Sequence, residues 1–90
     1  MDREAAETLA LEALAFLAAD ERRLGALLAQ AGWTLHELRA SAGNADVLAG
    51  ILDFVLSDER RVAAFCEASG CAPESPMRAR RALPGSSWDG

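Results

Sequence analysis

A chain of 90 residues can build one core that removes roughly 60 to 65% of its unfolded surface from water, so neither a metal nor a disulfide is required to hold it. Its residues are 51% hydrophobic and 26% charged, which excludes a disordered chain and predicts a soluble globular domain. The net charge of -5 divides as -3 over residues 1–45 and -2 over residues 46–90, so neither half offers the clustered cations that sequence-independent nucleic-acid binding requires.

The start Met1-Asp2-Arg3-Glu4, followed by Glu7 and Glu12, lacks the cationic beginning and apolar run of a secretory signal. No stretch approaches the ~20 apolar residues of a bilayer span. A cytoplasmic protein is expected, with Cys66 and Cys71 as reduced thiols.

A first helix is predicted over Arg3 to Ala18, with Leu9, Ala13, Phe16 and Leu17 on one stripe and Leu11 and Leu14 widening it. Asp20 caps a second helix, its carboxylate accepting from exposed amides while Glu21 adds negative charge at the positive dipole end. Leu24, Leu27, Leu28 and Ala31 form the buried face of that helix, and Gly32 stops it. Thr34 and Glu37 make a capping box for a short third helix that ends near Ser41 to Gly43, with Trp33 stapled onto Leu38 across the cap.

Asn44 caps a fourth helix over Ala45 to Leu56, burying Leu48, Ile51, Leu52 and Val55. Ser57 or Asp58 caps the fifth, with Val62, Phe65, Cys66 and Ser69 inward and Gly70 as its stop. A sixth helix is predicted from Met77 to Leu83, with Ser75 as cap and Pro76 at the first helical position. Residues 86–90 read as a flexible tail.

Phe16 to Arg23, FLAADERR, returns thirty-eight residues later as Phe54 to Arg61, FVLSDERR. Eight of nineteen positions are identical between Leu14–Gly32 and Leu52–Gly70. The expected fold is therefore all-α: a compact bundle of five or six short helices, built from two similar tandem units of about 38 residues near 9–43 and 47–85, in a single domain over 1–85. If the duplication is structural, Phe16 and Phe54 pack as counterparts about a pseudo-twofold axis.

The repeated Asp-Glu-Arg-Arg presents Arg22, Arg23, Arg60 and Arg61, whose guanidinium groups could bind carboxylate or phosphate in bidentate fashion; the simpler reading makes them the solvated faces of two helix starts. Cys66 sits on an apolar face, where a free cysteine acts as a small hydrophobe, while Cys71 lies past the stop and is expected to be accessible. Their spacing is that of neither a thioredoxin-type pair nor a zinc knuckle, and His36 alone could add a further nitrogen ligand. Arg78, Arg80 and Arg81 complement the negative end of the last helix. No catalytic, cofactor or metal residue is assigned, and glycine-rich phosphate loops are absent.

Several segments resemble a small all-helical bacterial family, domain of unknown function 3572: LALEALAFLA at residues 9 to 18, the two Asp-Glu helix openings, Ala49-Gly50 before Ile51-Leu52-Asp53-Phe54, Arg81-Ala82-Leu83-Pro84-Gly85, and a tail tryptophan matched by Trp88. Cys71 and Pro73 depart from the pattern. The resemblance implies the all-helical fold and no activity, cofactor or catalytic residue. The function expected is a non-enzymatic protein–protein interaction module, binding an unknown protein or a second copy, with Trp88, Arg22, Arg23, Arg60 and Arg61 as possible contact residues. The alternative is a helix-turn-helix-like nucleic-acid binder using the second and third helices, disfavoured by the acidic charge and by Arg39 as the only cation of the reading helix.

Overall fold

A helix needs partners for its first amides and last carbonyls, and most ends of this chain find them within four residues. The computed structural model describes residues 1–84, and among them there are six helices and no strand. They are α1 (Arg3–Ala18), α2 (Glu21–Ala31), α3 (Leu35–Ser41), α4 (Ala45–Leu56), α5 (Glu59–Ser69) and α6 (Ser75–Ala82). The carboxylate of Asp2 accepts from the Ala5 amide at 2.8 Å, that of Asp20 from Arg22 at 2.8 Å, and that of Asp58 from Arg60 at 2.8 Å. Asn44 does the same for Asp46. At α3 the capping box closes in both directions: the Thr34 amide donates to Glu37 at 2.9 Å, and the Glu37 amide donates to Thr34 Oγ1 at 3.1 Å. Gly32 and Gly70 end α2 and α5 at φ 75° and 79°, a region that a Cβ would strain.

One of these starts settles between two expected caps, and one differs from expectation. Asp58 caps α5, whereas Ser57 belongs to the end of α4, where its hydroxyl donates to the Phe54 carbonyl at 2.7 Å. Helix α6 begins at Ser75 rather than Met77, with Glu74 in the cap position and no side-chain cap bond, so Ser75 is helical and Pro76 follows it inside the first turn.

Helices α1 and α4 form the centre; each packs against the other and against α2, α5 and α6. Ala6, Ala10 and Ala13 of α1 are fully buried, and such small side chains let neighbouring helices approach closely. Leu9 and Leu17 complete that stripe. Leu11 lies outside it at 46% exposed, and Phe16 is only half-buried, so the buried arc of α1 is narrower than its leucine content suggests. Helix α4 buries Leu48, Ala49, Ile51, Leu52, Phe54 and Val55, more residues than any other helix buries.

In α2 only Leu27 is fully enclosed, with Leu24 and Leu28 half-buried and Ala31 exposed. Phe65 and Cys66 take the corresponding places in α5, where Val62 is half-buried and Ser69 exposed. The ring packed against Phe16 is that of Phe65, not Phe54: centroids lie 5.6 Å apart at an interplanar angle of 59°. The pairing of Phe16 with Phe54 expected from the repeat is therefore replaced by a contact between α1 and α5.

Trp33 does more than flank the α3 cap. Its six-membered ring lies over Gly50 of α4, where an added Cβ would stand 2.8 Å from Cη2 and 3.1 Å from Cζ2. Gly25, inside α2, has nothing within 4 Å of the same position. Alanine substitution should therefore have opposite signs at the two glycines. Gly25→Ala is expected to stabilise by about 0.5 to 1 kcal/mol through helix propensity. Gly50→Ala forces the indole outward, and the overpacking cost of roughly 1 to 3 kcal/mol outweighs that gain. Urea unfolding measures both, and a blue-shifted or unmoved Trp33 emission for Gly50→Ala, in a Trp88→Phe background, would contradict the displacement.

Candidate functional site

The repeated arginines divide into two kinds. Arg22 and Arg60 are exposed, as a solvated helix start requires. Arg23 and Arg61 are half-buried and lie over the rings of Phe16 and Phe54, with Cζ to centroid distances of 4.4 and 3.9 Å. Each is a cation on the negative face of an aromatic ring, seven residues along the chain from it. Arg61 also donates from Nη1 to the Phe54 carbonyl at 2.9 Å and to Ser57 Oγ at 3.0 Å, so it caps the end of α4. The solvated-face reading is thus corrected for Arg23 and Arg61: the repeat couples the second arginine to the preceding helix.

The Arg78, Arg80 and Arg81 cluster separates in the same way. Arg78 and Arg81 are exposed, whereas Arg80 turns inward, its Nε 2.6 Å from Oδ1 of Asp53 on α4. The Arg80 side chain is 7% exposed and that of Asp53 46%, so the pair lies at the margin of the core. Arg80 Nη1 also approaches the Pro84 carbonyl at 3.4 Å. A role at the helix dipole alone does not describe this residue, which ties α6 to α4. An acid at position 53, between Leu52 and Phe54 and far from the helix start that Asp46 serves, was the signal in the sequence for such a partner.

Cys66 and Cys71 meet: their sulfurs are 3.2 Å apart, in hydrogen-bonding contact. Cys66 is buried, and Cys71 is half-buried rather than freely accessible. Burial pushes the Cys66 thiol up to about 11, and the neighbouring Cys71 sulfur adds to the rise, so Cys66 remains protonated at neutral pH. His36 is exposed on α3. Among the described residues, no group of three or more His, Cys, Asp or Glu side chains is placed to hold a metal ion, and no helix is long and apolar enough to cross a membrane.

Three open grooves bear on function. One, of about 430 Å³, runs between α1, α2 and α3 and is lined by Leu14, Ala18, Leu24, Leu35, Leu38 and Ala42, with Arg39 at its edge. Leu35 is 39% exposed there, and Leu11, one turn before Leu14 on α1, is 46% exposed. A second, of about 420 Å³, lies between α1 and α5 beside Glu12, Phe16 and Phe65. A third, of about 450 Å³, is bordered by Asp2, Glu4, Glu12 and Cys71 and is acidic in character. The groove between α1, α2 and α3 is the most apolar of the three in its lining and contains no carboxylate. Trp88 and the rest of the predicted tail lie outside the described residues.

Short helices wrapped on two central ones, with grooves open to solvent, place the molecule among small all-helical bundles. Sequence comparison assigns it more narrowly. The chain belongs to the family described as "Protein of unknown function (DUF3572)", whose model matches residues 3–86. No match is found among curated proteins or among solved structures.

Proposed function

We propose that the protein is a non-enzymatic interaction module of the cytoplasm, binding a partner protein or a second copy of itself through the groove between α1, α2 and α3. The observation that supports this reading is the run of Leu14, Leu24, Leu35 and Leu38 along one open groove, continued on α1 by the exposed Leu11. Apolar side chains gathered along an open groove, rather than scattered singly, mark an interaction surface. A groove between short helices suits the apolar face of an incoming helix, which seats residues at helical spacing. Arg39 at the edge favours a partner with acidic residues flanking its apolar stripe, while the exposed Arg22 of α2 lies outside the groove lining. Arg60 is the equivalent exposed cation of α5.

Nothing favours the helix-turn-helix alternative over this reading, because α3 carries one cation and places Glu37 beside it. The discriminating variant is Leu35→Glu. It adds an acid in the first turn of α3, where the dipole offsets part of the roughly 1 to 2 kcal/mol lost with the partly buried leucine. The wild-type chain is expected to self-associate in sedimentation or to retain a specific protein from native lysate, and Leu35→Glu to lose that binding while its circular dichroism and cooperative melting show the fold retained. A wild-type chain that stays monomeric and retains nothing, or a variant that binds as well as wild type, would overturn the reading.

A further inference from the structure

Helix α5 stops at Gly70 in the left-handed conformation, and that turn folds the next residue back over the last turn of the helix. The residue after such a glycine meets the residue four before it, and a hydrophobic contact between these two positions is the usual companion of the turn. In α2 the two positions hold Leu28 and Trp33, and the Trp33 amide donates to the Leu28 carbonyl at 3.0 Å. In α5 they hold Cys66 and Cys71, and both members of the pair are thiols. Their sulfurs lie 3.2 Å apart. The turn that brings them together is held by its backbone as well: the Gly70 amide donates to the Cys66 carbonyl at 2.8 Å, and the Cys71 amide to Ser69 Oγ at 3.3 Å, while the Cys66 thiol reaches the Ala72 carbonyl at 3.5 Å.

We infer that Cys66 and Cys71 form a redox-active dithiol that closes reversibly to an intramolecular disulfide. A disulfide requires the sulfurs to close by about 1.2 Å, to a bond of about 2.03 Å, and side-chain rotation at the half-buried Cys71 supplies movement of that kind. Cys71 borders the groove that also holds Asp2, Glu4 and Glu12, so the reagent reaches it from an acidic surface. Negatively charged thiol reagents are disfavoured there, and the oxidant that fits is a small neutral peroxide.

The Cys71 thiolate attacks one peroxide oxygen; the S–O bond forms, the O–O bond breaks, and the departing hydroxide takes a proton to leave as water. Cys66 then attacks the sulfenic sulfur of Cys71 and gives up its proton. The S–S bond forms, the S–O bond breaks, and a second water leaves. Two thiols and one hydrogen peroxide become one disulfide and two waters. The two sulfurs are oxidised and the peroxide oxygens reduced. An external dithiol reverses the step by exchange. Buried Cys66, protonated by its surroundings, is protected from direct oxidation and serves as the resolving partner. The disulfide ties the end of α5 to the segment that leads into α6, which packs on α1 and α4.

Stoichiometric hydrogen peroxide added to the reduced full-length chain at neutral pH tests this. The expected product is a monomer lighter by two hydrogens, with Cys66 and Cys71 joined in the peptide map and both thiols restored by dithiothreitol. Cys66→Ala should instead trap a Cys71 sulfenic acid that reacts with dimedone, and Cys71→Ala should leave Cys66 reduced under the same treatment. A wild-type chain that remains reduced, that gains oxygens at Cys71 without cross-linking, or that links only between chains would overturn the inference. The wild-type product decides the outcome even where a cysteine variant folds poorly.

Discussion

Phe65→Ala is expected to cost about 3 to 5 kcal/mol of folding free energy, a large share of the roughly 5 to 13 kcal/mol margin of a chain this size. Phe65 is 0% exposed and heads the fully buried side chains by volume. Truncation loses the transfer energy of the ring and leaves a cavity that α1, α4 and α5 cannot close without shifting. It also removes the tilted contact with Phe16, a geometry worth about 0.5 to 1.5 kcal/mol beyond burial. Phe65→Leu keeps most of the volume and should lose considerably less. Urea unfolding monitored by circular dichroism is the measurement. A Phe65→Ala midpoint within error of wild type, or of the exposed-site control Leu11→Ala, would show that the core is not centred on this ring.

Arg80→Ala is the second large effect, expected at about 2 to 3 kcal/mol. Removing one partner of a buried pair costs 3 to 5 kcal/mol when the other is left buried and charged. Here the partner left behind is Asp53, whose side chain is 46% exposed and regains water, so the cost falls below that range. The contributions include the charge-assisted bond at 2.6 Å, the approach to Pro84, and the buried apolar stem of the arginine. The melting temperature should fall by roughly 10 to 20 °C.

Arg80→Met separates the two contributions, since it keeps the stem and removes the guanidinium; it should recover about half of the loss. Arg80→Lys cannot reproduce the two directed contacts made by Nε and Nη1 and should recover no more than Met does. The exposed neighbour Arg78 is the control. If Arg78→Ala and Arg80→Ala destabilise equally, the inward arginine contributes nothing beyond helix-end charge.

These two residues also mark where the sequence was legible. Phe65 falls on the apolar stripe of a capped, glycine-stopped helix, so its burial follows from periodicity alone. Arg80 stands between Arg78 and Arg81 with no local feature to set it apart, and its direction depends on Asp53, twenty-seven residues away. Cys66 and Cys71 are an intermediate case. Cys66, four residues before the left-handed Gly70, and Cys71, just after it, meet by local geometry, so their contact is encoded around Gly70 even though their spacing matches no common metal or redox pair. The groove of Leu14, Leu24, Leu35 and Leu38 was not legible, because three helices must be set side by side before it exists.

By itself the sequence determined the caps at Asp20, Thr34 and Asn44, the stops at Gly32 and Gly70, and with them an all-helical chain. Each involves groups no more than four residues apart, so its energy is set before any helix packs on another. Tertiary structure alone decided that Trp33 lies over Gly50, that Phe16 meets Phe65 rather than Phe54, and that one arginine of three turns inward. Burial is a property of what stands opposite a side chain. For these residues the opposite surface belongs to another helix, whose position no local pattern encodes.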